Sequence, residues 1–354
     1  MKKIAFIMPK LSGGGAERVV STIIRHINKN EFKCYLILFN TNGDYQESIP
    51  KEVNVEELSK RNIIGNSVQL VKIVRKIKPE ILFSSMRSIS VLLALLKVFF
   101  PSTTKLVFRE NNTPSVSIKQ SRFPWLWRII YKTIFKYANK IVCQSDFMVN
   151  DFRHEFNYTG NNLVKIYNPV DIQMIEKESK KGSSPFPNNN KKNVIAIGKM
   201  TEQKGIDLLL KSFANYRERT RDVNLWLLGE GKEQTKYELL AASLGIDDSV
   251  HFVGRQNNPF KWMNYADLLI LPSRYEGLPN VLLEALCCGC PVVTTDHPGG
   301  TNEIMEIIDC PDRIVELNWD KSWFNTLDVK KESFNNHFGL LVVINEYEKL
   351  LSEV

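Results

Sequence analysis

Two glutamates lie in a segment that reads PSRYEGLPNVLLEA, and their spacing suggests a binding site around the start of a helix. Glu276 and Glu284 are eight residues apart, a little over two helical turns. If the helix begins near Pro279, Glu276 precedes it and Glu284 lies on its body. Backbone N–H groups of Leu278 and Asn280 could then receive a phosphate, and Glu284 could accept from a vicinal diol such as a ribose. The alternative to a binding site is that one glutamate is a solvated carboxylate on the helix and the other caps the helix.

Two other loops could receive the phosphates of such a ligand. Gly14 and Gly15, in SGGGAE, follow a short apolar run and open a helical pattern, where N–H groups and a partial positive charge favour anions. Lys199 and Lys204, in GKMTEQKG, could straddle a diphosphate and offset the charge of a leaving group. The alternatives are a tight turn for the glycines and solvated surface charges for the lysines.

Strand and helix patterns alternate along both halves of the chain, which predicts parallel sheets covered on both faces. Ligands of such sheets bind where the strands end, and each candidate loop follows a strand. The predicted helices are 16–27, 206–216, 232–244, 279–288 and 340–351. The predicted strands are 4–8, 35–39, 81–84, 106–109, 141–144, 164–167, 194–197, 225–228, 250–253, 268–271 and 291–294.

The composition divides the chain into two α/β domains. The first is predicted over 1–171 and the second over 194–335. They are joined by a linker over 172–193, most of which reads EKESKKGSSPFPNNNKKN and has no apolar period. After Glu303 we expect only a strand-like stretch and a terminal helix over 336–354, which could return to the first domain.

The charge is divided unevenly between the halves. Residues 1–170 contain 26 Lys and Arg against 12 Asp and Glu, whereas residues 171–354 contain 21 against 27. The basic half suits an anionic partner, whether nucleic acid, a membrane surface or a phosphorylated substrate. The six cysteines form no disulfide or metal-ligand spacing. No signal peptide or membrane-spanning run is expected, because Pro9 interrupts the N-terminal apolar run and the longest run, 89–100, is too short.

A basic and aromatic stretch, KQSRFPWLWRIIYKTIFKYANK, stands out in the first half. Arg128, Lys132, Lys136 and Lys140 recur every four residues, which predicts that they share one helix face. Basic side chains mixed with tryptophans and tyrosines suit an anionic membrane surface. The alternative is an ordinary packed helix with a solvated basic face.

These motifs together resemble those of the retaining glycosyltransferases of family four, over roughly residues 4–305. The resemblance implies the GT-B fold, in which two Rossmann-like parallel-sheet domains face an interdomain cleft. The matching stretches are SGGGAERVV, VCQSDFMVNDF, KIYNPVD, GKMTEQKGIDLLL, LLGEGKE and, above all, the run from HFVGRQ to DHPGG that contains PSRYEGLPNVLLEAL.

The resemblance implies a role for each matching residue. Glu276 would contact hydroxyls of the donor sugar, Glu284 would hold the ribose, and Lys204 the diphosphate. Lys199 stands where the family usually has arginine, and its ammonium is a point charge without bidentate geometry. The catalytic candidates are Glu276, Lys204 and Lys199. The donor-binding candidates are Gly14, Gly15, Gly198, Gly229, Gly277, Leu278, Asn280 and Glu284.

The acceptor side of the expected site lies in the first domain. Many family members have a histidine in a stretch like RENNTP, where this chain has Asn111 or Asn112. Asparagine can hydrogen-bond a sugar hydroxyl but cannot exchange a proton near neutral pH. The acceptor-side candidates are therefore Arg109, Glu110 and Asn111.

The expected activity is retaining transfer of a hexose or N-acetylhexosamine from a UDP-sugar to a glycan acceptor, and no nucleic-acid partner is expected. The acceptor expected from the resemblance is linked to a polyprenyl diphosphate, in assembly of bacterial surface polysaccharide, lipopolysaccharide or oligosaccharide. No metal or other cofactor is expected, because lysines and loop amides can neutralise the diphosphate. The expected location is the cytoplasm, peripheral at the inner face of the plasma membrane. The alternatives are a UDP-sugar epimerase and a non-catalytic nucleotide-sugar-binding assembly partner.

Overall fold

The computed structural model describes residues 1–11, 14–40, 49–59, 63–327 and 329–354, without the side chains of 63 and 64. Ser12 and Gly13 of the glycine motif lie outside these ranges. The described chain divides into two compact units. The first unit is Met1–Pro169 together with Leu340–Val354, and the second unit is Val170–Gly339.

The strands of the described residues all pair in parallel. They are β1 Lys2–Met8, β2 Phe32–Leu38, β3 Asn54–Glu57, β4 Ile81–Ser84, β5 Lys105–Arg109, β6 Lys140–Cys143, β7 Leu163–Lys165, β8 Lys192–Ile197, β9 Val223–Leu228, β10 Val250–Gly254, β11 Leu268–Leu271 and β12 Val292–Thr294.

The helices lie between these strands and after the last of them. They are α1 Gly15–His26, α2 Ile63–Ile77, α3 Arg87–Leu95, α4 Pro114–Lys119, α5 Pro124–Thr133, α6 Asp146–Phe156, α7 Ile172–Ser179, α8 Ile206–Arg217, α9 Gln234–Ser243, α10 Pro259–Tyr265, α11 Asn280–Cys287, α12 Thr301–Ile307, α13 Lys331–Phe338 and α14 Leu340–Glu353. Short 3₁₀ helices span Lys97–Phe99, Phe135–Tyr137, Glu202–Lys204, Pro311–Arg313 and Lys321–Phe324.

The first unit is built on a seven-stranded sheet in the order β3-β2-β1-β4-β5-β6-β7. Strand β1 pairs with β2 from Lys2 opposite Phe32 to Met8 opposite Leu38, and with β4 on its other side. Residues 4–8 are fully buried, because a parallel sheet has both faces covered. The ends of β1, β4 and β5 therefore lie along one edge, which we call the carboxyl edge of the first unit.

The last helix, α14, belongs to the first unit. Lys2 Nζ donates to the carbonyl oxygens of Leu351 and Ser352, at 2.9 Å each, near the helix end. A cation at this end complements the partial negative charge of the helix dipole. The Asn28 N–H also donates to Glu348 Oε1 at 2.6 Å. These bonds tie α14 to β1 and to the segment that follows α1.

The second unit has a five-stranded sheet in the order β10-β9-β8-β11-β12. Its core contains the fully buried side chains of Leu225 and Leu227 on β9 and of Leu209 on α8. Because β8 and β11 are neighbours, the loops that follow them lie side by side at the carboxyl edge of this unit. These are the loops that contain Lys204 and Glu276.

The predicted strands and helices are confirmed, with ends that shift by at most three residues. Two parallel-sheet α/β units were expected and are found. Strand β3 was not predicted, since only one of its four residues is even half-buried.

The linker predicted over 172–193 is wrong for its first eight residues, which form helix α7 in the second unit. The Asp171 side chain accepts from the Met174 N–H at 3.0 Å and caps this helix. Further along, Phe186 is buried and its ring centroid lies 5.2 Å from that of Trp262. The linker was predicted because the segment is mostly polar, and this composition gave no sign of the residues that pack.

The expected strand-like stretch after Glu303 is also wrong. In its described residues this region contains most of α12, two 3₁₀ helices and α13, and its strand-like pairing is limited to two isolated parallel bridges, of Ile314 to Thr294 and of Gly339 to Val170. Apolar side chains of this region pack in the core of the second unit instead. Trp319 is buried and stacks on Tyr216 with 4.7 Å between the ring centroids.

The four basic residues Arg128, Lys132, Lys136 and Lys140 do not share one helix face. Helix α5 ends at Thr133, Lys136 lies in a 3₁₀ helix, and Lys140 is the first residue of β6. The periodicity fails because Lys140 pairs with Val107 in the sheet, which requires extended backbone. Arg128 Nη2 forms an ion pair with Glu155 at 2.5 Å.

Candidate active site

The centre of the candidate site is a contact between Lys204 and Glu276. Lys204 Nζ lies 2.5 Å from Glu276 Oε1, and Ser273 Oγ donates to the same oxygen at 2.6 Å. Only 5% of Glu276 is exposed. The carboxylate is thus held by a cation and a hydroxyl where the loops after β8 and β11 meet. Ser273 was missed in the sequence, although it lies three residues before Glu276 in the same motif.

Helix α11 begins where the sequence predicts. Pro279 is its N-cap residue and Asn280 its first residue, so Glu276 lies in the preceding loop and Glu284 on the helix body. Glu284 is 9% exposed. The Leu282 N–H donates to the Pro279 carbonyl at 3.1 Å, which closes the first turn. The predicted placement of the two glutamates is confirmed, and their contacts with a donor remain predictions.

A second loop, Pro298–Gly300, holds the backbone around Glu276. The Glu276 N–H donates to the Pro298 carbonyl at 3.0 Å, and the Gly300 N–H donates to the Gly277 carbonyl at 2.6 Å. Gly299 has φ +144°, and a Cβ there would lie 2.5 Å from the Glu276 carbonyl oxygen. Only glycine allows this close approach.

His297 stabilises this second loop. It is 6% exposed, its Nδ1 lies 2.8 Å from the Thr295 carbonyl oxygen, and its Nε2 lies 2.8 Å from Thr301 Oγ1. Burial lowers the pKa of His297, although the nearby Glu276 carboxylate opposes this. Both ring nitrogens therefore have partners within the protein.

The remaining donor-side candidates lie at the same carboxyl edge. The Gly198 N–H donates to the Leu228 carbonyl at 2.9 Å, and the Gly229 N–H donates to the Gly254 carbonyl at 2.8 Å, so the ends of β8, β9 and β10 are joined. Lys199 is exposed. It lies on the same loop as Lys204 but outside the contact with Glu276. Leu278 is buried beside Gly277.

In the first unit, the glycine loop opens helix α1 as expected. Gly14 is the N-cap residue, and its N–H donates to Glu17 Oε2 at 3.2 Å, which is the half of a capping box that a residue without a side chain can form. Gly15 begins the helix and is exposed. The helix N-terminus therefore lies at the carboxyl edge of the first unit, and its contact with phosphate remains a prediction.

Arg109, an acceptor-side candidate, is 1% exposed and lies at the end of β5. Its Nε donates to Tyr347 Oη at 3.2 Å, and its Nη1 to Ser85 Oγ at 3.1 Å. It also donates to the side-chain oxygens of Asn111 and Asn168. The buried guanidinium thus joins the ends of strands to α14, which indicates a structural role.

Asn111 is half-buried and uses both ends of its carboxamide. Its Oδ1 accepts from Arg109 and from Ser85 Oγ, the latter at 2.9 Å, and its Nδ2 donates to the Ser85 carbonyl. Of the three acceptor-side candidates it retains the most exposed surface. This candidate for the position of the family histidine is thus fixed by its neighbours.

We expect Tyr347→Phe to destabilise the protein, because it removes a buried acceptor from the Arg109 guanidinium. An unsatisfied buried donor costs about 1–3 kcal/mol in the free energy of unfolding. Urea unfolding would measure this. Tyr137→Phe is the matched control, since Tyr137 is 59% exposed and should change stability little. Equal effects of the two substitutions would contradict the network.

Glu110 is also buried, at 6% exposure, and Tyr131 Oη donates to its Oε2 at 2.9 Å. Burial raises the pKa of Glu110 from 4.5 to about 7, although the Tyr131 hydrogen bond and nearby Arg87 and Arg109 oppose this. The Glu110 backbone is fixed as well, because Gln144 Nε2 donates to its carbonyl. The carboxyl is therefore protonated in the folded protein under mildly acidic conditions.

This pKa predicts that stability falls as pH rises between about 5 and 7.5. In that window the unfolded chain releases the Glu110 proton while the folded protein keeps it, so folding is disfavoured as pH rises. The loss should be about 2 kcal/mol. Urea unfolding of wild type and Glu110→Gln across this window would measure it. Parallel pH profiles for the two proteins would contradict the assignment.

The two parallel-sheet units, each with its loops at a carboxyl edge, define the class of protein. It is a protein of the GT-B fold. The structure is similar to Anabaena HepE in complex with UDP-glucose, with a TM-score of 0.81 and 18% identity over 100% of both chains. It is also similar to a glycosyltransferase from Rickettsia africae, with a TM-score of 0.73 and 15% identity over 99% of this chain and 98% of that one.

The sequence comparisons give the family. Residues 13–174 match the model for Glycosyltransferase Family 4, and residues 177–307 match the one for Glycosyl transferases group 1. The chain therefore belongs to the family 4 glycosyltransferases and is a transferase.

Two relatives illustrate this. The chain is 28% identical over 345 residues to N-acetylgalactosamine-N,N'-diacetylbacillosaminyl-diphospho-undecaprenol 4-alpha-N-acetylgalactosaminyltransferase of Campylobacter jejuni, across 94% of this chain and 91% of that protein. It is 28% identical over 284 residues to an uncharacterized glycosyltransferase of Methanocaldococcus jannaschii, across 78% of this chain and 69% of that protein.

No helix in the described ranges combines the length and the apolar character needed to cross a bilayer. No three His, Cys, Asp or Glu side chains in that part of the chain are grouped as metal ligands.

Proposed function

We propose that the protein transfers a hexose or N-acetylhexosamine from a UDP-sugar to a glycan carried on a polyprenyl diphosphate, with retention of anomeric configuration. The observation that carries this is the Lys204–Glu276 contact at 2.5 Å, supported by Ser273. It combines a cation suited to a diphosphate with a carboxylate suited to sugar hydroxyls. Glu284, on the helix that follows, would accept from the ribose.

In the proposed reaction, the bond from the anomeric carbon to the UDP oxygen breaks, and the acceptor oxygen bonds to that carbon on the same face. The proton of the acceptor hydroxyl goes to the departing phosphate oxygen. Lys204 would stabilise the negative charge that develops on the diphosphate, with Lys199 nearby. This chemistry needs no pair of free carboxylates of the kind that glycosidases use.

The relatives support the choice of donor and acceptor. The Campylobacter jejuni relative is named as a transferase of N-acetylgalactosamine to a diphospho-undecaprenol-linked glycan, and its similarity extends over 94% of this chain. HepE was solved with UDP-glucose. HepE thus supports a UDP-sugar donor, and the Campylobacter jejuni relative supports a glycan acceptor on a lipid carrier.

The test is thermal unfolding in a panel of UDP, GDP and their sugars. A ligand at 100 times its Kd stabilises the folded protein by about 2.7 kcal/mol, so UDP and one UDP-sugar should raise the Tm. In an activity assay, UDP should be released only when acceptor is present, whereas an epimerase needs none. If no nucleotide raises the Tm, the proposal fails.

We also propose that transfer requires no metal ion, because the lysines at the donor site supply positive charge to the diphosphate. The measurement is UDP release before and after EDTA treatment and dialysis. The expected rate is unchanged. A rate that is lost with EDTA and restored by Mg²⁺ would overturn this part of the proposal.

A further part of the proposal is peripheral contact with the cytoplasmic face of the plasma membrane, through exposed apolar and basic side chains of α5 and the following 3₁₀ helix. Trp125, Ile129 and Tyr137 are 62%, 49% and 59% exposed, and Lys132 and Lys136 are exposed among them. The first unit has 27 Lys and Arg against 15 Asp and Glu, so its charge also favours an anionic surface.

Vesicle sedimentation tests the membrane contact. Wild-type protein should bind vesicles that contain phosphatidylglycerol at low salt and bind phosphatidylcholine vesicles less. The Trp125→Ala/Ile129→Ala variant should bind less than wild type. Leu239→Ala is the matched control, since Leu239 is a 68% exposed apolar residue of the second unit. Wild-type protein that ignores anionic vesicles would refute the contact.

A further inference from the structure

A bidentate ion pair, Arg274 with Asp207, lies next to the Lys204–Glu276 contact. Arg274 Nη1 donates to Asp207 Oδ1 at 2.8 Å, and Nη2 donates to Oδ2 at 2.7 Å. The Arg274 hydrogen bonds hold the pKa of Asp207 below its ordinary value, so Asp207 is ionised at neutral pH. Two parallel charge-assisted bonds fix both distance and orientation.

This pair joins the two segments that contain the site residues. Asp207 lies three residues after Lys204, and Arg274 two residues before Glu276. The backbones are joined as well, because the Arg274 N–H donates to the Gln203 carbonyl at 2.8 Å. Arg274 Nη1 also donates to the Glu202 carbonyl at 2.8 Å.

A further bond completes the connection. Gln203 Nε2 donates to the Tyr275 carbonyl at 3.0 Å. Thus both neighbours of Glu276 on its N-terminal side, Tyr275 and Arg274, are bonded to the residues that flank Lys204. The separation of Lys204 from Glu276 is then set by groups outside the contact itself.

We propose that Arg274 and Asp207 are positioning residues that fix Lys204 Nζ against Glu276 and so prepare the donor site. This deepens the proposed function and rests on it for its effect on catalysis. The pair acts through the two backbone segments. A displacement of about 1 Å in a site of this kind lowers turnover by about 100-fold.

The direct test is the labelling rate of Lys204 by an amine-reactive acylating reagent, followed by mass spectrometry of the ligand-free protein. Lys199 is exposed and serves as the reference in the same digest. In wild type, Lys204 should react more slowly than Lys199. Arg274→Lys keeps the positive charge but loses the bidentate guanidinium, and Asp207→Asn loses the negative charge. Each should raise the Lys204 rate relative to Lys199 by about 5-fold or more.

The chain offers a matched control in Arg217 and Asp248, a second ion pair of the same unit. Arg217 Nη2 lies 2.9 Å from Asp248 Oδ2, and Arg217 is the last residue of the helix that contains Asp207. Arg217→Lys should leave the Lys204 rate and turnover unchanged. It reports what the loss of an arginine fork does to the unit in general.

Turnover supplies the second readout. Arg274→Lys and Asp207→Asn should each lower kcat by about 10-fold or more, and the double variant should be no worse than either single variant, because both remove one interaction. An unchanged Lys204 labelling rate in both variants would overturn the positioning role, whatever the turnover. Altered labelling with no wild-type sugar transfer would instead keep the positioning role and count against the proposed function.

Discussion

Glu276→Gln is expected to lower kcat by about 100- to 1000-fold while the protein remains folded. The substitution keeps the size of the side chain and one acceptor oxygen, but it removes the charge that pairs with Lys204 at 2.5 Å. A neutral amide binds sugar hydroxyls less strongly than a carboxylate does and leaves Lys204 without its counter-charge. Steady-state kinetics with a UDP-sugar and acceptor would measure the loss.

Two further variants make this result specific. Glu284→Gln should mainly raise the KM for the donor, because the proposed ribose contact is present both before and during the reaction. Glu238→Gln should change neither constant, since Glu238 is an exposed residue of α9. Unchanged kcat in Glu276→Gln, with normal folding, would remove Glu276 from the catalytic site.

The core elements of this fold could be read from the sequence because burial leaves a simple pattern. Strand β11 is four apolar residues, all buried, and it was predicted to the residue. Strand β3 could not be found in this way. It is an edge strand with mostly exposed side chains, and its position is decided by pairing with β2. Helix periodicity also gave a wrong prediction for Lys140, which was expected on a helix face. Pairing in the sheet decides its conformation.

The residues of the candidate site also differ in whether the sequence could predict them. Glu276, Glu284 and Lys204 could be predicted because their types and spacing relate to one helix start or one loop. Ser273 and the Arg274–Asp207 pair could not be assigned from the sequence. Ser273 lies close to Glu276 but has no sequence pattern that assigns it a partner, whereas Arg274 and Asp207 lie 67 residues apart along the chain and are brought together by the neighbouring positions of β8 and β11.

The close contact between the backbones of the Lys204 and Glu276 loops leads to the prediction with the largest expected effect on stability. Gly205 has φ +63°, and a Cβ there would lie 1.9 Å from the Pro272 carbonyl oxygen. Gly205→Ala should therefore destabilise the second unit by about 2–4 kcal/mol, from left-handed strain and from the displacement of backbone. It should also raise the donor KM, since Lys204 and Ser273 are the adjoining residues.

Gly245→Ala separates the two causes. Gly245 has φ +65° in the same unit, but nothing lies within 4 Å of its added Cβ, so only the strain of about 1 kcal/mol should appear. Urea unfolding followed by tryptophan fluorescence would compare the two variants. If Gly205→Ala were no more destabilised than Gly245→Ala, the close approach of the Lys204 and Glu276 loops would be wrong. A larger loss confined to Gly205→Ala, with weaker donor binding, would show that loop contact stabilises the unit and shapes the site together.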